Sequence, residues 1–188
     1  RAKLAQERQR RSEYVTRRFA GAKALLPRNS QPLTIAFYPN WGDTAFDSLQ
    51  RALPKLDWIV PTWLTLQGPD LALKQDSNPK VLDLIQKKKP DVAILPSLQN
   101  ASGGKWNGQG LAKLLSEPRR RTQLVSDLAD YLSQHKFQGV VIDFEEVPTS
   151  AYHNLGLFLK ELSNVFSSHG LIGVTAAMVW LAAAGVIL

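Results

Sequence analysis

Gly139-Val140-Val141-Ile142-Asp143-Phe144-Glu145-Glu146 is the stretch that decides the fold. Four of its first six residues are β-branched or aromatic, which favours a strand over a helix. Apolar residues fall on both faces, as in a parallel strand covered on both sides. Side chains alternate along a strand. The pattern therefore predicts Val141, Asp143 and Glu145 on one face, and Ile142, Phe144 and Glu146 on the other. Two carboxylates on one face at the end of a buried strand are costly unless a partner or a chemical task compensates.

Outward from this strand, apolar runs alternate with helical patterns. Residues 33–38 form an apolar run that stops at Pro39-Asn40. Residues 44–53 predict a helix with Asp43 as a possible cap. Residues 58–66 predict a strand bent by Pro61. Asn78-Pro79 opens a helix to Lys88, with proline at its first position, and Lys87-Lys88-Lys89 lies at the negative end of its dipole. Residues 91–97 predict a strand, and 101–110 a Gly-, Asn- and Ser-rich loop carrying Trp106. A long helix over Pro118–His135, the strand 139–145, a helix over 149–169 and a strand over 171–176 complete the series. Five strands with crossover helices imply an α/β fold with a parallel sheet, either doubly wound or a (β/α) barrel. No Gly-rich phosphate loop follows the first strand, which disfavours a dinucleotide fold. A barrel places its chemistry at the carboxyl ends of its strands. Tyr38 and Trp41, Trp63, Gln99 and Asn100, and Asp143 and Glu145 all fall there. A complete barrel needs about 250 residues and eight strands. The expectation is therefore a partial (β/α)8 TIM barrel, its first five βα units, over residues 31–188.

The 188 residues carry a net charge of +7, and all of it resides in residues 1–28, with nine basic against two acidic side chains. The remainder is balanced at 14 of each sign. Residues 1–30 thus read as a basic helical arm, closed by the breaker cluster Pro27-Arg28-Asn29-Ser30-Gln31-Pro32. Such an arm suits a solvated linker or a juxtamembrane segment on an anionic membrane surface. Nucleic acid is not expected as a partner, because the globular part has no basic excess. There are no cysteines, which excludes disulfides and thiolate metal sites. His135, His153 and His169 lack ligand spacing, so neither a metal nor a cofactor is expected. The 18 residues from Leu171 to Leu188 carry no charge. That is the lower limit for a membrane span; a buried fifth strand over 171–176 is the plainer reading, and an interrupted reading frame the third.

Aromatic side chains near strand ends suit sugar rings, whose C–H faces stack on them. Tyr38, Trp41, Trp63 and Trp106 are the candidates. Together with the acid pair, residues 138–145 resemble the signature strand of glycoside hydrolase family 18, the chitinase-like family, whose motif is Asp-x-x-Asp-x-Asp-x-Glu on the fourth barrel strand. Asp143 and Glu145 match its last two acids, and Gln138 and Val141 replace the first two. Ala36-Phe37-Tyr38-Pro39-Asn40-Trp41 resembles the family's first strand. Ile94-Leu95-Pro96-Ser97-Leu98-Gln99-Asn100 stands in the place of its third, without the Gly-Gly of true chitinases. The resemblance spans about residues 33–176.

The resemblance implies Glu145 as the acid that protonates the glycosidic oxygen. It implies Asp143 as the group orienting the substrate's own 2-acetamido nucleophile; Tyr38, Trp41, Trp63 and Asn100, at the strand ends, are the expected substrate contacts. The implied partner is a polysaccharide or oligosaccharide containing N-acetylglucosamine, cleaved by substrate-assisted retaining hydrolysis. Val141 in place of an acid implies weaker tuning of Asp143 and modest activity. "FYPNW", "VIDFEEVP" and the basic arm resemble the domain that precedes a polysaccharide deacetylase and a family 2 glycosyltransferase in bacterial membrane proteins. That implies a cell-envelope location, anchored in the membrane with the domain outside the cytoplasm. The family also takes a tyrosine from its sixth strand and a tryptophan from its eighth, so residues 1–188 alone are expected not to turn substrate over. Two other readings stand beside the hydrolase: a catalytically weak or inactive glycan-binding module serving the fused enzymes, and a membrane-associated structural protein.

Overall fold

The computed structural model describes residues 33–39 and 43–176, apart from the side chains of Asp43 and Ser102. The basic arm, Trp41 and residues 177–188 lie outside the described residues. Strand β1 (Ile35–Tyr38) leads to helix α1 (Asp43–Ala52), which starts at the residue expected to cap it. Strands β2 (Trp58–Pro61) and β3 (Leu64–Gln67) are two halves of one chain direction, bent at Thr62-Trp63. An unexpected hairpin partner follows, β4 (Ala72–Gln75), antiparallel to β3. Helix α2 (Pro79–Lys88) opens as its sequence predicts, with the Asn78 side chain accepting from the Lys80 N–H at 3.0 Å.

Strands β5 (Ala93–Ile94) and β6 (Ser97–Gln99) are again halves of one bent strand, parted by Leu95-Pro96. The Gly-rich segment expected to be a loop instead forms the hairpin β7 (Ala101–Ser102) and β8 (Lys105–Trp106) and the start of helix α3 (Gly108–Ser116). The Asn107 side chain caps α3 by accepting from the Gly110 N–H at 2.8 Å. Helix α4 (Pro118–His135), strand β9 (Gly139–Asp143), helix α5 (Tyr152–His169) and strand β10 (Ile172–Thr175) follow.

Apart from the β7-β8 hairpin, hydrogen bonding divides the strands into β1-β2-β5 and β10-β9-β6-β3-β4. The bends account for the division, and backbone bonds cross them. Leu95 N–H donates to the Ile59 carbonyl, and Val141 N–H to the Pro96 carbonyl, both at 3.0 Å. The continuous order is β1, β2/β3, β5/β6, β9, β10, all parallel. Each strand lies beside its predecessor, which is the winding of a barrel rather than of a doubly wound sheet with its reversal point. The architecture is that of a partial (β/α)8 barrel.

Two apolar layers flank the strands. Trp58, Val60, Ala93, Leu95, Val141 and Ile172 pack together on the inner side. Ile59, Leu64, Leu98, Val140 and Ile142 pack outward under the helices, against Leu115, Leu128 and Phe158 among others. Gly139 permits the close approach of β10: a Cβ there would stand 2.0 Å from the Ile172 carbonyl oxygen. Helices α4 and α5 are tied by Arg121, 5% exposed, whose Nε and Nη2 donate to Glu161 Oε1 at 3.2 and 3.0 Å while Nη1 donates to the Leu115 carbonyl. Phe158 is fully buried and packs on Phe144, ring centroids 5.9 Å apart. Truncating it to alanine is expected to cost about 3–5 kcal/mol, read as a fall in the urea midpoint with an unchanged slope.

Candidate active site

The inner face becomes polar toward the carboxyl ends of the strands. Residues paired across parallel strands share a face, and Thr65 pairs with Gln99, which pairs with Asp143. Continuing the inner row upward from Val141, Asp143 is half-buried. Gln99 Nε2 donates to Asp143 Oδ2 at 2.7 Å, and Gln67 Nε2 donates to Thr65 Oγ1 at 2.9 Å. A polar row thus crosses three neighbouring strands above an apolar floor. Thr65 and Gln67 were not legible as site residues, because which face of β3 points inward depends on the bend before it.

Strand β9 ends at Asp143, two residues sooner than expected, so strand alternation does not by itself orient Glu145. A side chain does the work of a ladder there. Asn100 Oδ1 accepts from the Glu145 N–H at 3.0 Å, and Asn100 Nδ2 donates to the Glu145 carbonyl at 2.9 Å. The Glu145 side chain is exposed beyond the strand end. Glu146 follows with φ +54°, a left-handed conformation uncommon outside glycine, asparagine and aspartate. Its carbonyl oxygen lies against Gly108 at the start of α3, where a Cβ would stand 1.8 Å from it.

The structure places three of the expected substrate contacts, Tyr38, Trp63 and Asn100, inside the protein. Tyr38 is 5% exposed and belongs to the outer layer beneath the helices; burial pushes its phenol pKa up. Its neighbour Phe37 pairs with Val60 on the inner face and is 42% exposed. Trp63 is 1% exposed, also in the outer layer, with its ring centroid 5.7 Å from that of Phe137. The cause is the bend: Ile59 and Trp63 face outward, but so do Leu64 and Leu66, so the alternation resets at Thr62-Trp63. Asn100 is fully buried with both polar ends of its amide engaged, so it faces the Glu145 backbone rather than a ligand. Trp106 lies half-buried on β8, and Tyr152, at the start of α5, is 59% exposed.

Gln138 and Val141, which occupy the positions of the two replaced acids, have other tasks. Gln138 Oε1 accepts from the Ile94 N–H at 2.7 Å and its Nε2 donates to the Lys136 carbonyl at 3.0 Å, stitching β9 to β5 at its base. Val141 is fully buried in the inner apolar layer. Among the described residues, no group of three or more His, Cys, Asp or Glu side chains is placed to hold a metal ion. No helix among them is long and apolar enough to cross a membrane.

The family model described as glycosyl hydrolases family 18 matches residues 33–184. A class V chitinase from Pseudomonas fluorescens Pf-5 superposes with a TM-score of 0.70 at 18% identity, over 77% of this chain and 44% of that one. The Bacillus cereus spore cortex-lytic enzyme SleL superposes with a TM-score of 0.65 at 13% identity, over 80% of this chain and 35% of that one. At such identities the likeness is one of fold. A protein of Bacillus subtilis strain 168, provisionally named sporulation-specific glycosylase YdhD, is 28% identical over 81 residues, covering 43% of this chain and 19% of that protein. The chain spans less than half the length of each of the three.

Proposed function

Because this chain belongs to glycosyl hydrolases family 18, we propose that it forms the acid-bearing half of a glycosidase acting on N-acetylglucosamine-containing polysaccharide. The observation that carries this reading is the placement of Asp143 and Glu145. They occupy the carboxyl end of the fourth strand in barrel order, one carboxylate held on the inner face and the other exposed at the mouth. Phe37, Trp106 and Tyr152 supply exposed or half-exposed aromatic surface at the same end, as sugar faces require.

In the proposed reaction, Glu145 donates its proton to the glycosidic oxygen as the bond to the anomeric carbon breaks. The acetamido carbonyl oxygen of the same sugar forms a new bond to that carbon. Asp143 accepts a hydrogen bond from the acetamido N–H and balances the positive charge that develops on the ring. Glu145, now ionised, takes a proton from the water that opens this intermediate, and the configuration is retained. This substrate-assisted route needs no second nucleophilic carboxylate.

We further infer that the domain belongs to a larger envelope protein with a deacetylase and a glycosyltransferase, its basic arm lying on an anionic membrane surface. A glycan-binding module serving those enzymes is the second reading, favoured by the apolar Val141 beside Asp143. Incubating the intact protein with a chromogenic chito-oligosaccharide separates the two. Release of the chromophore is the expected result. Saturable oligosaccharide binding without release from pH 4 to 9 overturns hydrolysis in favour of the module.

A further inference from the structure

We propose that Gln99 and Asn100, consecutive residues at the end of β6, are a positioning pair that sets the two acids independently. This rests on the glycosidase reading above and assigns the pair a task within it. Each of the two amides reaches a different acid. Gln99 projects inward and donates to the Asp143 carboxylate at 2.7 Å. Asn100, one residue beyond the strand, is fully buried and grips the Glu145 backbone at both its N–H and its carbonyl.

The two amides solve different problems. The Gln99–Asp143 pair is the last register pair between β6 and β9, so the chain beyond it has no ladder partner. A carboxamide carries one donor group and one acceptor at adjacent positions, as the edge of a peptide strand does. Asn100 therefore extends the pairing by one side chain where the backbones have diverged. Its own carbonyl is taken by the Asn107 N–H at 2.8 Å, which fixes the strand end from which the amide projects. Gln99 compensates for a different loss. Val141, two residues before Asp143 on the same face, is apolar, so it offers Asp143 no hydrogen bond. The donor comes instead from the neighbouring strand.

A positioning residue acts only through the group it holds, which a double-mutant cycle detects. In the intact protein, Gln99→Leu is expected to lower kcat for a chromogenic chito-oligosaccharide about tenfold, with KM changed less than twofold. In an Asp143→Asn background the same substitution should cost less than twofold. Equal costs in both backgrounds would overturn the assignment of Gln99. For Asn100 the readout is hydrogen exchange at the Glu145 amide. Asn100→Ala should speed it at least tenfold, while the amides of the distant β1–β2 pair keep their protection. Unchanged exchange in Asn100→Ala would overturn the clamp. Absence of turnover in the parent protein defeats the hydrolase reading alone. The cycle is then read on oligosaccharide Kd, where coupling between positions 99 and 143 supports the pair and additivity rejects it.

Discussion

Glu145→Gln in the intact protein is expected to lower kcat for chito-oligosaccharide hydrolysis by roughly 10²–10⁴-fold, the usual contribution of a general acid. The substitution keeps size and removes only the transferable proton. The Glu145 backbone is held by Asn100 through main-chain groups that the substitution leaves in place, so fold and substrate affinity should persist. A KM within about threefold of the parent and an unchanged melting curve would accompany the loss. Glu146→Gln is the contrast: that side chain is exposed and only its backbone conformation and carbonyl are used, so turnover should change less than about twofold. Comparable losses at both positions would reject Glu145 as the acid and point to a general dependence on negative charge at the mouth.

Gly139→Ala is expected to be the most damaging single methyl group in the described chain outside the mouth. The new Cβ would stand 2.0 Å from the Ile172 carbonyl oxygen and 2.8 Å from its carbonyl carbon. Both obstacles are backbone, so no rotamer change relieves them. Either β10 leaves β9, surrendering the register Ile172↔Gly139 to Thr175↔Ile142, or the substitution strains both strands. Overpacking costs about 1–3 kcal/mol and sometimes more. Against a typical total stability of about 5–15 kcal/mol, a loss of about 3 kcal/mol or more is expected, and thermal melting should move down by several degrees. Gly156→Ala, on helix α5 where nothing lies within 4 Å of the added carbon, should be neutral or stabilising. Equal melting temperatures for the two variants would contradict this account.

Strong local signals in the sequence match the structure. The proline-led starts of α2 and α4, the β-branched run of β9 and the uncharged run containing β10 all lie where pattern and capping place them. The misses have definite physical causes. Ala72–Gln75 is a short, mostly exposed strand, with no apolar alternation to betray it even though Gly68-Pro69-Asp70 signals a turn. Helix α3 hides because its first turn, Gly108-Gln109-Gly110, has the composition of a loop and is held by the Asn107 cap. The inward faces of β1 and β3 are not legible for a subtler reason. When both faces of a strand are apolar, alternation separates two sets of residues without saying which set points inward. Alternation alone does not say which of Phe37 and Tyr38 faces inward, and the bend at Thr62-Trp63 inverts the parity of β3. Asp143 escapes this ambiguity, because it is the one polar side chain within β9.

The clamp between Asn100 and the Glu145 backbone joins residues 45 apart in the chain, and the Gln99–Asp143 bond joins residues 44 apart. Neither bond can form from local structure. Closing loops of this length costs entropy before any contact rewards it. A chain collapsed through β6 and α4, but with β9 not yet docked, has helices and an apolar core and no arranged pair of acids. Assembly of the mouth is thus conditional on the third and fourth parallel strands finding each other in register. A slip of that register by one residue would turn Asp143 into the apolar layer under the helices. The site is therefore also a proofreader of its own fold: a chain with the wrong strand register has no means of presenting both carboxylates.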